Sequence, residues 1–221
     1  MEIKIQKDYS ELSSTVADIV KHQIQRKPNS RLILPTGSTP IGLYKELVNR
    51  KLNWKKVETF NLDEYLDNTI WEQSYRYFMD ENLFKHINMD DDNIYFPGDT
   101  AIWPEMSYGE NADLCILGIG TNGHIAFNEP GSSFDSETRV VDLDEQTIED
   151  NSRFFDSVDD VPTRAITMGL KSIMKSKKIL LMANGIHKFK ILNVAMNGKV
   201  TEDVPASILQ KHKNIEVFYC D

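Results

Sequence analysis

The stretch "DLCILGIG", residues 113–120, is almost entirely apolar and ends in two closely spaced glycines. A strand that is buried on one face alternates apolar and polar residues, whereas a strand that is covered on both faces is continuously apolar. The run is therefore predicted to be a central strand of a parallel sheet. Helices must then cover both faces of that sheet, which is the layering of the α/β class.

The same order of apolar run and helix recurs on either side of this strand. The run "RLILP" (31–35) precedes "IGLYKELVNR" (41–50), in which apolar residues recur at helical spacing. Five further apolar runs are VETFN (57–61), NIYF (93–96), RAITMGL (164–170), KILLMANG (178–185) and IEVFYC (215–220). The alternation predicts βαβ units in a mainly parallel, doubly wound sheet with helices on both faces.

One long stretch departs from this pattern. Residues 135–163 are rich in Asp, Glu and Ser and poor in apolar runs. The composition fits a lid over a binding site, and it fits a solvated excursion of the chain equally well. We find no internal repeat and no Gly/Ser linker, so residues 1–221 are predicted to form one domain.

Composition restricts the classes of partner. The chain has 25 basic and 34 acidic residues, a net charge of −9, which argues against nucleic acid as a partner. Cys115 and Cys220 lie in apolar runs and are interpreted as buried thiols of a reducing compartment. The amino-terminal residues lack the apolar core of a signal peptide, and no stretch approaches transmembrane length. We expect a cytoplasmic protein with no membrane partner.

Four polar segments directly follow apolar runs. They are PTGSTP (35–40), NLDEY (61–65), GTNGHIAFNEP (120–130) and NGIHK (184–188). Ligands of open α/β sheets bind beyond the carboxyl ends of the strands. We therefore expect the four segments to meet at one edge of the sheet.

The first of these segments has the composition of an anion site. Gly37 allows close approach of the backbone, Ser38 and Thr39 offer hydroxyls, and Pro40 suits the first turn of a helix whose free amides face the ligand. The segment lacks the Gly-Lys-Ser/Thr ending of a P-loop, so a single phosphate fits better than a nucleoside triphosphate. Lys188 and Arg153 are candidate cations for that phosphate. An ordinary helix start with two surface charges is the alternative interpretation.

The other segments carry acid–base groups. Asp63 and Glu64 follow a strand, where a partly desolvated carboxylate is a plausible general base, although a solvated acidic pair is the alternative. His124 and Glu129 have the composition of a proton shuttle, because a carboxylate can fix the tautomer of an imidazole. The glycines of this loop match G-x-G-x-x-G, but the Asn-Glu-Pro-Gly sequence that follows is turn chemistry and not a long helix. With no metal-ligand spacing either, neither a cofactor nor a metal is expected.

The four segments, in this order, resemble glucosamine-6-phosphate deaminases of the glucosamine/galactosamine-6-phosphate isomerase family. The matching segments are LPTGSTP, TFNLDEY, SYRYFM, GIGTNGHIAFNEPGSSF, NSRFF and the NGIHK junction, which together run from residue 34 to about residue 190. The resemblance implies a modified Rossmann-like fold. It also implies an aldose–ketose isomerisation with deamination, in which glucosamine 6-phosphate and water give fructose 6-phosphate and ammonia.

The resemblance also implies roles for single residues. Asp63 is matched to the base that removes the C2 proton, and His124 with Glu129 to the group that opens the pyranose ring. The residues matched to substrate binding are Gly37, Ser38, Thr39, Glu64, Gly120, Arg153 and Lys188.

Two departures from the family pattern bear on catalysis and regulation. Asn122 stands where many members carry an aspartate, and an amide orients a neighbour without titrating. Arg139 is kept, but Val141 and Asp142 replace the basic and hydroxyl residues of allosteric members, so the resemblance implies no activator site for N-acetylglucosamine 6-phosphate. We therefore expect a short, non-allosteric type that is a monomer or a small homo-oligomer, with an amino-sugar phosphate as its small-molecule substrate.

Three other functions stay open at this point. A 6-phosphogluconolactonase has a related glycine–histidine loop but lacks the Phe-Asn-Glu-Pro continuation. A non-catalytic sugar-phosphate sensor domain has a similar fold but does not need Asp63, His124 and Glu129 together. A galactosamine-6-phosphate deaminase differs in the orientation of one hydroxyl, which the sequence does not reveal.

Overall fold

The computed structural model describes residues 1–66, 70–98 and 108–221. Seven strands form a parallel sheet in the order β1-β10-β9-β6-β2-β3-β5. Their bounds are β1 Ile3–Ile5, β2 Arg31–Leu34, β3 Glu58–Asn61, β5 Ile94–Tyr95, β6 Leu114–Leu117, β9 Ile179–Asn184 and β10 Ile215–Cys220. The predicted α/β fold with a mainly parallel sheet is confirmed.

Helices cover both faces of this sheet. The helices are α1 Tyr9–Arg26, α2 Ile41–Asn49, α3 Tyr75–Asn82, α4 Glu145–Asn151, α5 Leu170–Met174 and α6 Ile186–Asn197. Side chains of β6 alternate between two apolar cores, with Leu114 and Ile116 facing α1–α3 and Cys115 and Leu117 facing α5 and α6. All four are buried, which explains why the opening stretch is continuously apolar. The two cysteines are buried free thiols, as predicted.

A second sheet, which the sequence pattern did not predict, packs beside the first. Its antiparallel strands β4 Asp63–Tyr65, β8 Arg164–Thr167 and β7 Arg139–Asp142 run in the order β4-β8-β7. Residues 164–167 were expected in the parallel sheet, so that assignment is wrong. An apolar run can form a strand of either sheet, and the backbone pairing with β4 and β7 places this one in the second sheet.

The two sheets are joined at Leu62. The amide of Leu62 donates to the carbonyl of Leu34 in the first sheet (3.2 Å), and the carbonyl of Leu62 accepts from the amide of Met168, at the end of β8 (2.7 Å). Asp63, expected in a turn after a strand, is consequently the first residue of a new strand and pairs with Thr167.

Residues 135–163 fold onto the body of the protein. They supply β7 and α4, and Leu143 packs in a small third core with Tyr65, Phe127 and Ala165. The stretch is thus folded and contributes α4 to the cavity lining, and most of its residues are exposed or half-buried. Its polar composition arises because only one side of β7 and α4 is covered, as the alternating exposure of β7 indicates.

Candidate active site

A cavity of about 340 Å³ opens at the carboxyl edge of the parallel sheet. The strands β2, β3, β6 and β9 end there, and they are neighbours in the sheet. The residues that follow them line the cavity, among them Gly37, Asp63, Gly120, His124 and Lys188. The convergence of the four polar segments, expected from the sequence, is observed.

One wall of the cavity is the loop between β2 and α2. Gly37 has φ +90°, a backbone conformation that glycine adopts readily and other residues rarely do. Helix α2 begins at Ile41 without a side-chain cap, so amides of its first turn are available to a ligand. The amide of Gly42 is an exception, because it donates to the hydroxyl of Tyr9 (2.8 Å). The Thr39 hydroxyl donates to Oδ1 of Asn184 (2.8 Å), which anchors the loop to the end of β9.

Two cations line the cavity beside this loop. Lys188 Nζ donates to the carbonyl of Ile119 (2.8 Å), and Arg153 belongs to the short helical turn Ser152–Phe154 after α4. Burial lowers the pKa of Lys188; the charge of Asp150 raises it, and that of Arg153 lowers it further. A partly buried lysine and an exposed arginine beside the amides at the start of α2 form a region suited to an anion.

Asp63 carries a buried carboxyl group in the lining of the cavity. The residue is only 6% exposed. Burial raises the pKa of Asp63 to about 8, and the neighbouring charge of Glu64 contributes in the same direction. A carboxylate that holds its proton this firmly is a strong base once it is ionised, which suits abstraction of a proton from carbon.

Glu64 is not brought into the cavity. Its carboxylate accepts backbone N–H bonds from Tyr65 and Tyr75 (both 2.9 Å) and from Arg76 (2.8 Å). It therefore holds the amino end of α3. Because alternate side chains of a strand point to opposite faces, neighbouring Asp63 and Glu64 cannot both face the cavity.

His124 faces the cavity with Glu129 and Asn122 behind it. Nδ1 of His124 lies 3.3 Å from Oε2 of Glu129. The side chain of Asn122 accepts from the backbone amide of His124 (3.1 Å) and donates to Oε2 of Glu129 (2.9 Å). Because a carboxylate only accepts hydrogen bonds, the Nδ1 proton points to Glu129 and Nε2 is left for the cavity.

Gly120 makes room for the imidazole. A Cβ atom on residue 120 would lie 2.2–2.4 Å from three ring atoms of His124, so any larger residue displaces the ring. Burial raises the pKa of Glu129, but hydrogen bonds from His124, Thr147 and Asn122 outweigh this effect and leave the pKa of Glu129 below its ordinary value. Glu129 is therefore a carboxylate at neutral pH.

Several lining residues were not selected from the sequence. They are Tyr75, Asn184, His187 and, from α4, Thr147, Asp150 and Asn151. The three α4 residues recur at i, i+3 and i+4, so they share one face of the helix. This spacing could have indicated a helix face directed to the site. It was not noticed because nearly every residue of the stretch is polar.

Across the described ranges 1–66, 70–98 and 108–221, no group of three or more His, Cys, Asp or Glu residues is placed to hold a metal ion. Within the same ranges, no helix has the length and apolarity needed to cross a membrane.

The fold and the cavity together define an α/β protein with acid–base groups beside an anion-binding loop. Comparison with known proteins supplies the family: residues 6–218 match the family described as glucosamine-6-phosphate isomerases/6-phosphogluconolactonase, and the chain belongs to it.

Curated relatives and solved structures resemble the chain over nearly its whole length. A glucosamine-6-phosphate deaminase of Clostridium novyi is 50% identical, with 97% of this chain and 95% of the relative covered. One from Clostridium botulinum (strain Langeland) is 49% identical, with 98% and 95% covered. The structure of a monomeric glucosamine-6-phosphate deaminase superposes with a TM-score of 0.91 at 37% identity, covering 100% of this chain and 97% of that one. A putative 6-phosphogluconolactonase of Neisseria gonorrhoeae (TM-score 0.74, 21% identity, full coverage of both chains) shares the fold.

Proposed function

We propose that this protein is a glucosamine-6-phosphate deaminase, which converts glucosamine 6-phosphate and water into fructose 6-phosphate and ammonia. The observation that carries the proposal is the arrangement of one cavity, in which a buried carboxyl group and a histidine–carboxylate pair share the space beside an anion-binding loop. The similarity to deaminases at 49–50% identity over nearly the full chain supports the same assignment.

The phosphate is the part of the substrate that the loop residues bind. The amides of Gly37, Ser38 and Thr39 and the hydroxyl of Ser38 supply donors, and Lys188 and Arg153 supply charge. The phosphate is remote from the reacting carbons. Its binding energy therefore serves to position the sugar between Asp63 and His124.

His124 catalyses opening of the pyranose ring. Its Nε2 takes the proton of the C1 hydroxyl and delivers a proton to the ring oxygen, so that the bond from C1 to the ring oxygen breaks and the C1 carbonyl forms. Glu129 stabilises the imidazolium that exists between the two transfers, because its carboxylate is in contact with Nδ1.

Asp63 catalyses the isomerisation of the open chain. Its carboxylate takes the proton from C2, the electron pair of that bond forms the C1–C2 double bond, and the carbonyl oxygen takes up a proton to give an enolamine. Return of the proton to C1 gives a C2 iminium ion. Water adds to C2 and ammonia leaves, which yields the ketose phosphate. The reaction is thus an isomerisation coupled to loss of ammonia.

The assembly state and location follow from the same proposal. A monomer is supported by the monomeric state of the deaminase structure that superposes at a TM-score of 0.91. A cytoplasmic location is supported by two cysteines that remain free thiols, as in proteins of reducing compartments.

The test is to treat the purified protein with a chelator, add glucosamine 6-phosphate, and measure ammonia and fructose 6-phosphate together. We expect equal amounts of the two products. Galactosamine 6-phosphate, 6-phosphogluconolactone and phosphate-free glucosamine serve as parallel substrates. Hydrolysis of the lactone without release of ammonia from either amino sugar would overturn the proposal in favour of a lactonase, and binding of the sugar phosphate without turnover of any substrate would favour a sensor.

A further inference from the structure

Helix α4 places a hydroxyl against the carboxylate that supports His124. Thr147 is 2% exposed, and its Oγ1 donates to Oε1 of Glu129 at 2.6 Å. Asn122 and the imidazole occupy the other oxygen, Oε2. Each carboxylate oxygen of Glu129 thus has at least one donor, and the two donors besides His124 come from different parts of the fold.

The hydroxyl of Thr147 does not bond to the partner that is usual for a buried threonine in a helix. Such a hydroxyl usually bonds to a backbone carbonyl of the preceding turn, whereas this one is directed to a side chain 18 residues earlier in the chain. The same hydroxyl oxygen lies 3.5 Å from Nδ1 of His124, slightly farther than the carboxylate oxygen at 3.3 Å. Since the hydroxyl proton is committed to Glu129, its lone pairs face the imidazole N–H.

We propose that Thr147 is a positioning residue for ring opening, which fixes the Glu129 carboxylate and thereby holds His124 in the tautomer with its proton on Nδ1. Asn122 constrains Glu129 from the loop after β6, and Thr147 constrains it from α4. The donors that fix the Glu129 carboxylate beside His124, the amide of Asn122 and the hydroxyl of Thr147, are thus both neutral. Thr147 does not itself react with the sugar.

Among the described residues, His124 is the titratable group whose charge and hydrogen bond act on Glu129, and it comes from the same loop. On α4, the carboxylate of Asp150 accepts from the Thr121 hydroxyl (2.8 Å) and from the side-chain amide of Gln146 (3.1 Å). The bond from Thr121 to Asp150 joins α4 to the loop after β6, and Thr147 is thereby kept within bonding distance of Glu129.

The proposal rests on the proposed function for its kinetic consequence, but its first test does not require activity. Thr147→Val removes the hydroxyl and keeps the shape of the side chain, whereas Thr147→Ser keeps the hydroxyl. Carbon-detected NMR titration of the Glu129 carboxyl should show a pKa about one unit higher in Thr147→Val, because a donor to the charged form is lost, and a pKa close to the original in Thr147→Ser. Nitrogen NMR of His124 should show a mixture of tautomers in Thr147→Val.

Kinetics supply the second test. In Thr147→Val, kcat for the pyranose should fall about tenfold with KM changed less than twofold, and Thr147→Ser should restore kcat. Thr147→Ala replaces Thr147→Val if the latter does not fold. An unchanged Glu129 pKa and an unchanged His124 tautomer in the hydroxyl-free variant would overturn the proposal, whether or not the protein releases ammonia. Absence of ammonia release by the unmodified protein would instead overturn the proposed function.

Discussion

The neighbouring carboxyl groups of Asp63 and Glu64 occupy opposite environments. Glu64 accepts three backbone N–H bonds at the start of α3, whereas Asp63 is buried at the wall of the cavity, with a pKa raised to about 8 by burial and then by the charge of Glu64. Glu64 therefore holds the fold, and Asp63, the residue before it, is available for chemistry.

Replacement of the proposed base should remove the chemistry and leave binding. In Asp63→Asn, kcat should fall by about 10²–10⁴-fold, which is the range that a positioned base contributes. Exchange of the C2 proton in deuterated water should cease, while titration calorimetry still detects the sugar phosphate. Asp135→Asn, which changes an exposed aspartate outside the cavity, is the matched control. Exchange that continues in Asp63→Asn would remove Asp63 from the mechanism.

The raised pKa of Asp63 predicts the pH dependence of the free enzyme. The base must be ionised, so kcat/KM should rise about tenfold per pH unit below about 8 and level off above it. Glu64→Gln keeps a carbonyl acceptor for the α3 amides and removes the neighbouring charge, so the limb should move to lower pH by a fraction of a unit, because burial is the larger cause. If the pH at which kcat/KM levels off does not change in Glu64→Gln, a group other than Asp63 controls this part of the pH profile.

The same group should reduce stability in a pH-dependent manner. Asp63 has a pKa of about 8 when folded and about 3.8 when unfolded, so between these values the folded state binds the extra proton. Stability therefore falls as pH rises from about 4 to about 8 and is level above that range. Asp63→Asn removes this penalty, and at pH 8 its Tm should exceed that of the original protein by at least about 2–4 °C, with no gain near pH 4. Calorimetric scans at the two pH values check this, and an equal gain at both would contradict it.

Lys188 is predicted to act on affinity more than on turnover. Loss of a charge-assisted contact to phosphate should raise KM or Kd by about 10- to 100-fold in Lys188→Ala. Lys190→Ala removes a positive charge from the same helix at an exposed position. Its effect therefore measures how much the loss of a positive charge outside the cavity changes the affinity for the phosphate. Equal affinities of the two variants for the sugar phosphate would identify Lys188 as a structural lysine whose partner is the carbonyl of Ile119.

Regulation by a second sugar phosphate is not expected. Val141 and Asp142 occupy the strand after Arg139, and Arg139 donates to Oδ1 of Asn128 (2.9 Å) and to Ser132 Oγ (3.2 Å). An acidic and an apolar residue there disfavour an anionic activator. Rate against substrate concentration should be hyperbolic and indifferent to N-acetylglucosamine 6-phosphate, whereas a sigmoidal curve that this compound relieves would contradict the prediction.

Much of the site was predictable because it depends on the ends of strands. Parallel strands present their carboxyl ends at one edge, so apolar runs followed by polar segments sufficed to bring Gly37, His124 and Lys188 together. The pairing of His124 with Glu129 was also predictable, since a short loop keeps residues five apart within reach. Thr147 was not, because its contact with Glu129 depends on how α4 packs on the body of the protein.

The sequence by itself determined the layered α/β fold and the edge of the sheet at which the cavity opens, because these follow from periodicity and from the polar segments after the apolar runs. The acid–base roles of Asp63, His124 and Glu129 are predictions that the resemblance to a family implies. Only the tertiary structure decided that Asp63 begins a strand of a second sheet, that Glu64 is turned to the α3 amides and that Thr147 supports Glu129. The physical reason is that pairing and desolvation are set by groups that lie far apart in the chain. Asp63 pairs with Thr167, about a hundred residues later in the chain, so the burial that raises its pKa is a property of the packed sheets and not of the local sequence.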